Sequence, residues 1–72
     1  MSTPTVTLTG YDTVLTMFAD QLDGDQFAIV LKDDSGDSVH LAFTKNYEAV
    51  LDVMDTFITS FAVLGYDFTT KF

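Results

Sequence analysis

The stretch from Asn46 to Gly65 constrains the fold more than any other part of the chain. At about 100° per residue, Tyr47, Val50, Leu51, Val53, Met54, Phe57, Ile58, Phe61, Ala62 and Leu64 cover about half of a helical cylinder. Glu48, Asp52, Asp55, Thr56, Thr59 and Ser60 take the other half, with Ala49 and Val63 intruding on it. Asn46 is placed to cap the first turn and Gly65 to stop the last. So wide an apolar face needs a broad apolar partner, and the remaining segments supply one as strands.

Phe27, Ile29 and Leu31 alternate onto one strand face, as do Val39, Leu41 and Phe43. Asp33-Asp34-Ser35-Gly36-Asp37 between them has the short acceptor side chains and the glycine of a hairpin turn. Thr5 to Thr9 alternates Thr with Val6 and Leu8, and Tyr66 to Phe72 reads as a short last strand with Tyr66, Phe68 and Phe72 on one side. Tyr11 to Leu22 reads as a first helix. Tyr11, Val14, Leu15, Phe18 and Leu22 fall on one helical face, Asp12, Thr16 and Asp20 lie opposite, and Gly24 follows as a stop. Thr9 and Asp12 make a capping box, although Asp is a weaker partner there than Glu. The competing reading is a hairpin, because Thr13 to Phe18 is rich in strand formers.

The expected order is therefore βαββαβ, an α+β chain with two helices on one face of a four-stranded antiparallel sheet, the ferredoxin-like sandwich. The alternative is a four-stranded meander backed by the single long helix. Residues 1–72 read as one domain, and a chain this short buries only about 60% of the surface it exposes when unfolded. With no cysteine it has neither disulfides nor thiolate metal sites. A dense core, built from a chain that is 47% hydrophobic, and self-association are the supports that remain.

Charge narrows the partners. Eleven acidic residues oppose three lysines and no arginine, for a net charge of -8. Nucleic-acid binding needs cations that replace phosphate counterions, so direct contact with DNA or RNA is not expected. Anionic membranes are disfavoured likewise, and basic protein surfaces are favoured. The same charge also serves solubility. No apolar run approaches the roughly 18 residues of a membrane span. Met1-Ser2-Thr3-Pro4 carries no basic or apolar leader pattern, which sets the expectation of a cytoplasmic protein.

Chemistry-bearing motifs are sparse. His40 is the only histidine, and no acid is obviously paired with it. The carboxylates sit in turns or on polar helix faces, where water leaves them ordinary. Asp23-Gly24-Asp25 and the Asp33 to Asp37 turn are oxygen-rich but lack EF-hand spacing, so turn formation explains them better than calcium. There is no phosphate-cradling loop, no serine nucleophile motif and no dinucleotide fingerprint. The expectation is a non-catalytic protein without cofactor or metal.

Two surfaces stand out. Asp12, Asp20 and Asp23 on the first helix and its end, with Glu48, Asp52 and Asp55 on the second, form one acidic wall if both helices cover the same sheet face. Such a wall imitates a phosphate backbone and fits the groove of a basic, nucleic-acid-handling protein. In size and charge, without a shared motif, the chain resembles small phage-encoded inhibitors of host restriction, CRISPR or transcription machinery. The second surface is the far side of the sheet, where the register places Thr5, Thr7, Thr9, Ala28, Val30, His40, Ala42, Thr44 and Thr69. This nearly uncharged face is expected to pair two copies through Val30, His40 and Ala42. A small-ligand or metal-sensing role is the third reading, on fold analogy alone.

Overall fold

A computed structural model describes residues 3–71. Five strands and one helix follow in the order β1 (Thr5–Gly10), β2 (Thr13–Gln21), β3 (Phe27–Lys32), β4 (Ser38–Thr44), α1 (Tyr47–Leu64) and β5 (Asp67–Lys71). The strands form a single antiparallel sheet in the order β4-β3-β2-β1-β5. The ferredoxin-like arrangement is thereby corrected. The first four strands are a meander backed by one helix, and a fifth strand returns to pair with β1. The expected contribution of Phe72 lies outside the described residues.

The expected first helix is β2. Gly10 pairs with Thr13 across a two-residue turn in which Tyr11 and Asp12 both have positive φ, 52° and 60°. Positive φ at both central positions is the geometry that matches the twist of a hairpin. Val14, Thr16 and Phe18 lose rotamer freedom in a helix and pack well on a pleat, so tertiary pairing decides for the strand. The helical spacing was misleading because β2 carries apolar residues on both faces. Leu15, Met17 and Ala19 point towards α1, and Val14 and Phe18 point away.

The α1 boundaries agree with the capping signals. The Asn46 side chain accepts from the Ala49 N–H at 2.8 Å. At the other end Gly65 adopts φ 107°, its N–H donates to the Ala62 carbonyl, and the Tyr66 N–H donates to the Phe61 carbonyl. These two bonds satisfy carbonyls that a helix end otherwise leaves bare. The β3–β4 turn also forms as expected. Oδ1 of Asp33 accepts from the backbone of Ser35 and Asp37, both at 3.0 Å, and from the Ser35 hydroxyl at 2.7 Å.

Between β3 and β4 the register contains one irregularity. Ile29 pairs with Ala42 and Val30 with His40, leaving Leu41 as the extra residue of a bulge. A bulge shifts the alternation beyond it onto the opposite faces. Phe43, expected in the core, therefore lies opposite Ala28 on the open face and is 68% exposed. Ala42 and Thr44, expected on the open face, turn towards α1, and Thr44 is buried.

Val6, Leu8, Met17, Phe27, Ile29, Val50 and Met54 form the core between sheet and helix. Because α1 connects β4 to β5, which are opposite edges of the sheet, it must cross the whole sheet. It starts where Tyr47 meets Phe27, ring centroids 6.4 Å apart, and ends where Tyr66 meets Tyr11 at 5.2 Å. Five strands at about 4.8 Å spacing span about 19 Å, roughly twice the width of one helix. Among the described residues, a diagonal crossing thus leaves two corners of the helix-side face uncovered.

Candidate functional site

One uncovered corner is a groove of about 610 Å³ between α1 and the β1–β5 edge. Its floor is Val6, Phe68 and Thr70, and its helical wall runs from Leu51 through Ile58 to Ala62 and Val63. Asp55 and Thr59 supply the polar part of that wall. Val63 is 83% exposed and Phe68 51%, so the groove presents large apolar side chains to solvent. The diagonally opposite corner, lined by Leu15, Leu31 and Val39, is smaller, about 170 Å³.

The acids do not form the two-helix wall. Asp12 sits in the β1–β2 turn, Asp20 lies on the open sheet face within β2, and Asp23 sits in the β2–β3 turn at the other end of the molecule. Without a first helix, nothing aligns these three with α1. Glu48, Asp52 and Asp55 do remain together, all exposed on α1. At about 100° per residue they lie about 60°, 100° and 40° around the helix from Leu51, all in the same direction. The buried Val50 and Met54 lie in the other direction. The carboxylates therefore flank the groove side of α1, and no lysine or arginine occurs between Tyr47 and Leu64. A further acid joins them at the start of α1, where Asp25 and Glu48 border a cleft of about 500 Å³ that also includes Phe27 and Tyr47.

On the open sheet face, Val30 and His40 are directly paired as expected, but Val30 is only 5% exposed, and Ala42 lies on the helix side. Sequence reasoning missed Phe18, which pairs with Val30, and Phe43, whose ring centroid is 5.6 Å from that of His40. Phe18 was hidden by the helix assignment and Phe43 by the bulge. The face is accordingly less flat and less uniformly small-chained than its threonines suggest, and Asp20 and Lys32 give it charge.

Among the described residues no group of three or more His, Cys, Asp or Glu is placed to hold a metal ion. The Asp33 carboxylate is engaged by its own turn. The Ser35 hydroxyl holds its pKa below the usual carboxylate value, against an opposing effect of desolvation and with the help of backbone N–H donors. Among the described residues no helix is long and apolar enough to cross a membrane. Compared with known proteins, the chain matches no family, no curated protein and no solved structure.

Proposed function

We propose that this chain is a non-catalytic protein-binding module that recognises a basic surface, acting in the cytoplasm as a regulator or inhibitor of a nucleic-acid-handling protein. The observation that carries this reading is the stripe of Glu48, Asp52 and Asp55 along the exposed flank of α1, with no cation on the helix to neutralise it. Carboxylates one helical turn apart repel each other by a few tenths of a kcal/mol, a cost that an opposing row of Lys or Arg converts into attraction. The net charge of -8 adds long-range steering towards such a surface.

The test is affinity capture from the source cell, with elution in steps of salt, comparing the native chain with the combined E48Q, D52N and D55N variant. A basic protein retained by the native chain, released by salt and lost with the variant supports the reading. Equal retention by both overturns it.

A second reading is assembly through the open sheet face. The exposure of Phe43 beside the exposed His40 ring favours it, since apolar surface on a sheet face is commonly covered. Concentration-dependent dimerisation that is insensitive to salt is its signature.

A further inference from the structure

We propose that the groove beside α1 receives an amphipathic helix of the basic partner, which completes a second helical layer over the β1–β5 edge. This rests on the acidic-surface reading above and assigns it a shape. Three observations converge. The sheet is too wide for one helix, and the uncovered corner exposes Val63 and Phe68 next to the buried Val6. The groove wall from Leu51 to Val63 extends about 18 Å, so a helix of three to four turns can lie along it. The acids of α1 all stand on the groove side, Asp55 in the wall itself and Glu48 and Asp52 beyond it.

A docked helix is thus asked for an apolar face against Leu51, Ile58 and Phe68, and for Lys or Arg along the flank that meets the three carboxylates. Charge selects this occupant over a second copy of the chain. A two-fold pairing through the groove brings each stripe of Glu48, Asp52 and Asp55 close to its own image, with no lysine on either helix to intervene. It also selects against an anionic lipid surface, which the same carboxylates repel.

The experiment is selection of a library of random peptides of about 14 residues on the intact chain, long enough to span the groove as a helix. Binding sites of the selected peptides are then mapped by amide chemical shifts. Expected are peptides with apolar residues every three to four positions and Lys or Arg along one flank, shifting Leu51, Ile58 and Ala62. Two variants leave the buried core untouched. Ala62→Trp fills the exposed groove wall, and Val63→Lys places a cation where the peptide's own must pass. Each is expected to weaken the selected peptides by about tenfold or more.

Peptides without basic residues, no enrichment, or shifts centred on Phe43 overturn the proposal. Shifts at the groove that grow with protein concentration alone assign it to a second copy and overturn it likewise. If Ala62→Trp and Val63→Lys bind normally while E48Q/D52N/D55N does not, the groove is wrong and the acidic reading stands. If the triple variant binds normally while Ala62→Trp does not, the acidic reading fails and takes this proposal with it.

Discussion

The hydroxyl of Tyr11 donates a hydrogen bond to the carbonyl oxygen of Leu64, joining the first turn of the chain to the last residue of its helix across 53 positions. The bond answers two local problems. It engages one of the carbonyls left open at the C-terminus of α1, and it holds a tyrosine in a left-handed conformation that a non-glycine residue adopts at a cost of about 1–2 kcal/mol. The Tyr11 ring meets the edge of Tyr66, which in turn packs against Phe61 at 5.3 Å. Gly10 makes room for this cluster, since a Cβ there lies 2.9 Å from the Tyr66 ring.

Tyr11→Phe is therefore expected to lower stability by about 1 kcal/mol, the net value of one hydrogen bond. Gly65→Ala is expected to cost about 1–2 kcal/mol, because its φ of 107° disfavours a side chain and its Cβ lies 2.9 Å from the Tyr11 hydroxyl. Urea unfolding of both variants and their combination checks this. Losses that add independently contradict a shared contact.

The core offers a harsher test. Met54 is 2% exposed and packs at the centre of the helix–sheet contact. Met54→Ala is expected to cost about 3 kcal/mol. A chain of 72 residues has only about 4–11 kcal/mol in all. A large fall in thermal midpoint is expected, and a change of a degree or two contradicts the packing described.

Acid should loosen the β3–β4 turn. The Asp33 carboxyl has its pKa lowered by the Ser35 hydroxyl and turn amides, so its folded value lies below its unfolded one. Its contribution is fully present above the unfolded value and is lost as pH falls through the folded one. Carbon-detected NMR should show Asp33 titrating below the ordinary carboxylate range, with the Ser35 and Asp37 amides moving in step. Titration at or above that range contradicts the hydrogen-bonded turn.

Sheet-face assembly is decided by Phe43. Its side chain is 68% exposed in the single chain, so Phe43→Thr, which keeps strand propensity, should leave the unfolding midpoint of the monomer nearly unchanged. If the open face pairs two copies, sedimentation shows a dimer that this variant abolishes. A native chain that stays monomeric at millimolar concentration removes that reading.

Where the sequence was legible, side chains with strong local preferences stood at the element ends. Asn46 and Gly65 bounded α1, and Asp33 to Asp37 marked the hairpin, because capping and turn bonds are local and leave a signature in composition. The β1–β2 turn left none, since Tyr11 and Asp12 occupy positions where Asn-Gly is the usual signal, and Gly10 serves Tyr66 instead of the turn. The bulge at Leu41 was equally silent. A period-two reading assumes an unbroken ladder, and one inserted residue exchanged the faces of Ala42, Phe43 and Thr44. The candidate site was half legible for the same reason. Glu48, Asp52 and Asp55 follow from helical spacing, whereas the groove beside them depends on which edges α1 connects, a property of topology that no local pattern carries.

The most direct test of the acidic stripe is the affinity of the captured partner for the native chain and for E48Q/D52N/D55N, measured by calorimetry at low and high salt. Three exposed ion pairs contribute about 1–2 kcal/mol together, which predicts about a tenfold weaker complex for the variant and a shallower salt dependence. Equal affinities with equal salt slopes would contradict the account and leave the net charge as a matter of solubility.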